Sequence, residues 1–122
     1  MIVAFVLASM ATCGDLPNQT SMNECQIRVA EREDAQMNVA WRKVREVMRK
    51  ADAEDASGRS QYMSALLSAQ RAWLAFRNAE CEIQSYEWKD GTMQPFTRSQ
   101  CMAELARARS KQLTDLAVSI GR

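Results

Sequence analysis

The sequence predicts an all-α fold, a small antiparallel three-helix bundle with two disulfides clustered at one pole. Three observations carry this. Glycine and proline number only 4 and 2 among 122 residues, which disfavours a β fold built on tight turns. Apolar residues recur at alternating steps of three and four in three separate stretches. Four cysteines, at positions 13, 25, 81 and 101, fall near ends of those stretches that meet when consecutive helices alternate in direction.

The first helix is expected to open at Ser21-Met22-Asn23-Glu24, whose S-x-x-E spacing is that of a capping box. Behind it Ile27, Ala30, Asp34, Met37, Trp41, Val44, Met48 and Ala51 share one face. The stretch from Ala53 to Ser60, with Ser57-Gly58, stops it. A second helix starting at Ser60 carries Met63, Leu66, Leu67, Gln70, Trp73, Leu74, Arg77 and Cys81. Its broader apolar face is expected of an element packed on both sides. Asp90-Gly91 and Pro95 break the pattern. Thr97-Arg98-Ser99-Gln100 then offers a second capping box, with Phe96 as its staple residue. Met102, Leu105, Arg109, Leu113, Leu116 and Ile120 form the stripe of the third helix.

Antiparallel packing fixes which residues lie level. If position 21 lies beside position 89 or 90, level partners on the first two helices have numbers totalling about 111. Helices one and three are then parallel with an offset of about 75. All four cysteines gather at one pole in this register. It favours Cys13–Cys25 with Cys81–Cys101, although the sequence permits all three pairings. The same register brings Asp34, Arg77 and Arg109 to one depth and sets Gln70 level with Trp41. A buried polar cluster of Asp34, Gln70, Arg77 and Arg109 is expected to fix helix register, with an anion pocket as the sharper alternative. Breaking a fully buried pair there, as in Asp34→Ala, is expected to cost about 3–5 kcal/mol.

Composition excludes several function classes. There is no histidine, so Ser-His or Cys-His catalysis and the commonest zinc sites are unavailable. One aspartate facing two arginines makes a poor general acid or base, and no paired carboxylates or glycine-rich phosphate loop occur. No CxxC pair points to a metal. The expectation is no enzyme, no metal and no cofactor. Sixteen basic against 15 acidic residues leave a net charge of +1, which gives no case for nucleic acid as a partner. Arg42, Lys43, Arg45, Arg49 and Lys50 make the end of helix one basic. They read as a solvated face, diluted by Asp52, Glu54 and Asp55.

Residues 1–11 read as a signal-peptide remnant: the apolar run Ile2 to Ala8 is followed by Ser9-Met10-Ala11, small residues at −3 and −1 of a cut. The usual basic segment before such a run is missing, which leaves the start of the precursor open. The run is too short to span a bilayer. Thr12 and Met10 stand where a lipobox wants a small residue and leucine, and acylating Cys13 would leave an odd number of thiols. Both argue against a lipid anchor at Cys13. An even cysteine count in a short chain fits an oxidising compartment, periplasmic or secreted.

The run Ala69-Gln70-Arg71-Ala72-Trp73-Leu74-Ala75-Phe76-Arg77-Asn78-Ala79-Glu80-Cys81 resembles the signature of the LprI-type lysozyme-inhibitor family of bacterial envelope proteins. Gln19-Thr20-Ser21-Met22-Asn23-Glu24-Cys25 is similar to that family's entry motif, and Cys101 followed by Arg109 to its closing segment. The likeness covers about residues 13 to 116, inside a single helical domain over residues 12–122. Met37-Asn38 with Trp41, and Asn78 after the arginine, depart from the family's usual Leu-Asn with Tyr and Asp. The resemblance implies an exported, disulfide-bonded helical domain and lysozyme inhibition. A lysozyme cleft carries two carboxyl groups, so a blocker gains from a cation flanked by aromatic anchors. Tyr86, Trp88, Lys89, Met93 and Phe96, on the longest connection, supply both and form the expected partner-binding loop. The alternative is an envelope structural or interaction protein with a non-lysozyme partner, such as peptidoglycan or an assembly factor.

Overall fold

The computed structural model describes residues 13–122. The apolar run and the cut site expected upstream lie outside the described residues. A 3-10 turn, Cys13–Asp15, leads into α1 (Gln19–Glu54); α2 spans Tyr62–Gln84, a second 3-10 turn covers Tyr86–Trp88, and α3 spans Gln94–Ile120. No strand occurs among the described residues, and the three helices form the expected bundle. The register is also as read: Arg77 Nη1 donates to Asp34 Oδ1 at 2.8 Å, and Arg107 Nη2 to Glu33 Oε1 at 3.0 Å.

Packing is uneven. α1 and α3 lie together along most of their length, whereas α2 touches each of them more sparingly. Small residues permit the close approach: Ala40 and Ala106 are buried in one cluster with Met37, Val44, Met48 and Leu113, and Ala103 is buried as well. Leu66 brings α2 into this core, with Trp41, Met63 and Trp73 packed partly against it. α2 still meets both neighbours, as its broad apolar face leads one to expect. Outside that face it carries a second apolar stripe with Phe76 and Ile83, which are 54% and 59% exposed. Ile27, Leu67 and Leu116, assigned to the core stripes by spacing, are also exposed.

The helix starts differ from the capping boxes read from sequence. Asn18 caps α1, its Oδ1 accepting from Ser21 N–H at 2.8 Å, so Ser21 receives the cap rather than providing it. α3 begins before Thr97-Arg98-Ser99-Gln100. Pro95 sits in its first turn, where a missing N–H leaves no bond unmade, and Thr97 N–H already donates to Met93 O at 3.0 Å. α2 starts at Tyr62 and is capped from across the turn. Asp52 accepts from Tyr62 N–H at 2.9 Å and Met63 N–H at 3.0 Å.

Asp55 closes the same turn, accepting from Ser57 Oγ at 2.7 Å and from Ser60 N–H at 2.7 Å. Gly58 lies at φ +68, a left-handed conformation that suits glycine. The Ser57 hydroxyl, then the Ser60 and Ser57 backbone N–H groups, hold the Asp55 carboxyl down at about 2. Backbone donation from Met63 likewise lowers Asp52. A depressed carboxylate stabilises the fold above its unfolded value, near pH 4, and loses that contribution as pH falls through the folded value. The turn should therefore hold to about pH 4 and loosen between there and about pH 2. An NMR titration of the Asp55 carboxyl carbon checks this, and a midpoint near 4 would contradict it.

Candidate functional site

The cysteine pole is tied in three ways. Cys13–Cys25 pins the 3-10 turn to α1, with Cα atoms 5.5 Å apart, and Cys81–Cys101 joins α2 to α3 at 5.4 Å. Asn23 Nδ2 donates to Thr92 O at 2.9 Å, tying α1 to the loop between α2 and α3. Within that loop Ser85 is fully buried, its hydroxyl donating to Glu82 O at 2.8 Å and accepting from Gln94 Nε2 at 3.3 Å. Gln94 Oε1 in turn accepts from Asp90 N–H at 3.1 Å. Successive turns close at Trp88, Lys89 and Gly91, whose N–H groups donate to Ser85, Tyr86 and Trp88 carbonyls at 2.8–3.0 Å. The left-handed residue is Asp90, at φ +62, rather than Gly91. Glycine suits 91 for another reason: a Cβ there would lie 3.1 Å from Trp88 O, a tight contact.

The connection is thus a short, internally bonded cap. α3 absorbs Phe96 into its first turn, and Met93 and Phe96 are half-buried. The five residues expected to form one binding loop divide accordingly. Tyr86, Trp88 and Lys89 stand at the surface, and Lys89 Nζ lies 5.3 Å from the centroid of the Tyr86 ring. Ser85, Gln94 and Asn23, which hold them, carry no marked sequence signal; single polar residues among turn formers do not announce a network.

The polar cluster also divides. Arg77 binds Asp34, while Arg109 Nε donates to Gln70 Oε1 at 2.9 Å and Arg109 Nη1 to Gln112 Oε1 at 3.1 Å. Both guanidinium groups lie over Trp73, 5.1 and 5.9 Å from the ring centroid. Arg109 reaches Gln70 instead of Asp34, so the expected three-way ionic cluster is two pairs joined by one indole. Burial lowers Arg109 from its ordinary value. Trp41 and Gln70 do share a pocket of about 290 Å³ with Met37, Leu67 and Leu74.

The Asp34 side chain is 44% exposed and that of Arg77 only 12%. Full burial of the pair, expected from the stripes, does not hold, because the carboxylate leans out to water. Asp34→Ala should therefore cost about 1–2 kcal/mol, between the surface-pair and buried-pair ranges. Denaturant melts measure this, and a loss above about 3 kcal/mol would restore the buried reading. A longer open groove of about 630 Å³ between α1 and α3 is lined by Val39, Val47, Ala117 and Val118, with Lys43 at its wall and Lys111 paired to Asp115. Nothing in these places aligns a nucleophile with a base. Among the described residues no group of three or more Cys, Asp or Glu is placed to hold a metal. The cap presents a cation and two aromatic rings on a rigid support; it can bind.

Residues 9–113 match the family described as lysozyme inhibitor LprI. The chain belongs to that family. An uncharacterized protein of Rhizobium meliloti (strain 1021) is 34% identical over 107 residues, covering 85% of this chain and 77% of the relative. No solved structure matches the chain. LprI is a family of inhibitors rather than catalysts, and its described partner is lysozyme. Family membership and two disulfides together point to an extracytoplasmic location. No helix of the described residues is long and apolar enough to cross a membrane.

Proposed function

We propose that this LprI-family protein is an exported lysozyme inhibitor, periplasmic or secreted after loss of residues 1–11, and that it acts by seating the α2–α3 cap in the lysozyme cleft. The observation that carries the reading is the rigidity of the cap. Its backbone is held by turn hydrogen bonds, by buried Ser85 and by Cys81–Cys101, so little conformational entropy remains to be lost on docking. Lys89 would set its ammonium against the pair of carboxyl groups that cleaves the polysaccharide, and Trp88 would occupy a neighbouring sugar position. Met93 and Phe96 are half-buried and would offer a partner less surface than Trp88 and Lys89.

The test is wall lysis followed by turbidity, with c-type, g-type and i-type lysozymes and the purified protein in molar excess. Slowed lysis with at least one class is the expected result. Undiminished lysis with all three would overturn the reading and favour an envelope interaction protein with a non-lysozyme partner.

A further inference from the structure

Gln70 is 9% exposed, yet only half of its amide is used. Its Oε1 accepts from Arg109 Nε at 2.9 Å, and its Nε2 has no hydrogen-bond partner among the described residues. Arg77 Nε is the one fully enclosed side-chain nitrogen or oxygen among those residues that lacks a partner, so Gln70 Nε2 is still open to solvent. A nearly buried N–H donor without a partner is costly, and a group that enters to accept from it is favoured. Gln70 lines the pocket of about 290 Å³ between α1 and α2. Leu74, in the same pocket, stands ten residues before the end of α2 at Gln84, about 15 Å along the helix. Pocket and cap are therefore separate surfaces.

We infer that this pocket binds a small monocarboxylic acid with an apolar body. The apolar part of the lining is Met37, Trp41, Leu67 and Leu74, of which Met37 is buried and Trp41 and Leu74 half-buried. The polar part is Gln70, Asn38 and Arg71. Arg71 is exposed and makes no ion pair among the described residues. With Gln70 Oε1 committed to Arg109, three side chains offer N–H donors, Asn38 Oδ1 is the one side-chain acceptor left, and no carboxylate lines the pocket. That balance selects the ligand. A cation would meet a guanidinium and no anion. A sugar's hydroxyls donate as well as accept, and a single acceptor satisfies few of them. A phosphate ester brings up to two charges to one arginine. A carboxylate only accepts, carries one charge and matches the fork of Arg71, with Gln70 Nε2 free to donate to it as well. The apolar side chains then cover a ring or short chain, and the volume suits roughly ten non-hydrogen atoms. The larger α1–α3 groove lacks this balance: Asp115 lines it, Lys111 is spent on Asp115, and its one buried lining residue is Ala40.

An NMR titration of the disulfide-bonded protein tests this with three probes: benzoate, benzyl alcohol, which keeps the ring and loses the charge, and acetate, which keeps the charge and loses the ring. Benzoate should give saturable shifts centred on the Gln70 side-chain amide and the Trp41 indole N–H, with a dissociation constant of about 1 mM, ordinary for so small a ligand. Benzyl alcohol and acetate should each bind at least about tenfold more weakly. Gln70→Glu keeps an acceptor for Arg109 but replaces the donor with a negative charge, and should weaken benzoate at least about tenfold. Arg71→Ala should do the same, and its exposed, unpaired side chain keeps the test open should Gln70→Glu disturb the fold. No saturable shift with benzoate up to about 20 mM, well above the expected constant, would overturn the inference. So would equal binding of benzyl alcohol, shifts centred on Val39 and Val118 of the larger groove, or affinity indifferent to Arg71→Ala.

Discussion

Replacing Cys81 and Cys101 together by serine should cost about 3 kcal/mol of stability, the loop-entropy value for a link across 20 residues. The cost falls where function is proposed. Both cysteines are buried at the pole, Cys81 completely. Their bond fixes the end of α2 to the first turns of α3, and the cap from Tyr86 to Trp88 spans the gap between them. Arg98 donates to Glu82 at 3.0 Å beside the bridge, a half-exposed pair able to replace little of what the bond contributes. The variant should therefore fold, melt earlier, and exchange its Trp88, Lys89 and Gly91 amide protons much faster than those of the α1–α3 core. Denaturant melts with hydrogen exchange measure both effects. A loss below about 1 kcal/mol, with cap protection unchanged, would mean that the Ser85 and Gln94 network alone holds the cap.

Trp88→Ala combined with Lys89→Ala should leave the fold intact and lose at least about 2 kcal/mol of affinity for any lysozyme the wild type binds. Trp88 is 43% exposed and Lys89 is exposed, so neither supports the core. What the cap needs from these positions is backbone: the Trp88 carbonyl accepts from Gly91 N–H at 2.8 Å, and Lys89 N–H donates to Tyr86 O. Alanine retains both bonds. Removing the side chains strips an aromatic anchor and a cation at once, the two residue characters that dominate interface hot spots near carboxylates. Calorimetric titration reads the affinity and a thermal melt confirms the unchanged fold. Equal affinity would move the binding surface to the helical faces, beginning with the basic end of α1.

Much of this was legible in the residues. Helix periodicity located all three elements, and the antiparallel register placed Asp34 level with Arg77 and favoured the disulfide pairing that forms. The helix starts were not. Asn18 and Asp52 do the capping from outside the helices they serve, Pro95 opens α3 without a side-chain cap, and motif spacing alone cannot rank competing starts. Burial was legible only in part, because spacing says that a stripe is apolar but not which stripe meets a neighbour. Ile27, Leu116 and the second stripe of α2 are exposed for that reason. At the site, Trp88 and Lys89 could be chosen by residue type. Ser85 and Gln94, whose importance lies in whom they touch, could not.

The most direct measurement is a side-by-side lysis titration of the wild-type protein and the Trp88→Ala, Lys89→Ala variant against one susceptible lysozyme, at matched concentrations of folded protein. Wild type is predicted to suppress lysis in a dose-dependent way. The variant is predicted to need at least about thirtyfold more protein for the same suppression, the ratio that about 2 kcal/mol sets. Superimposable curves would contradict cleft occlusion by the cap.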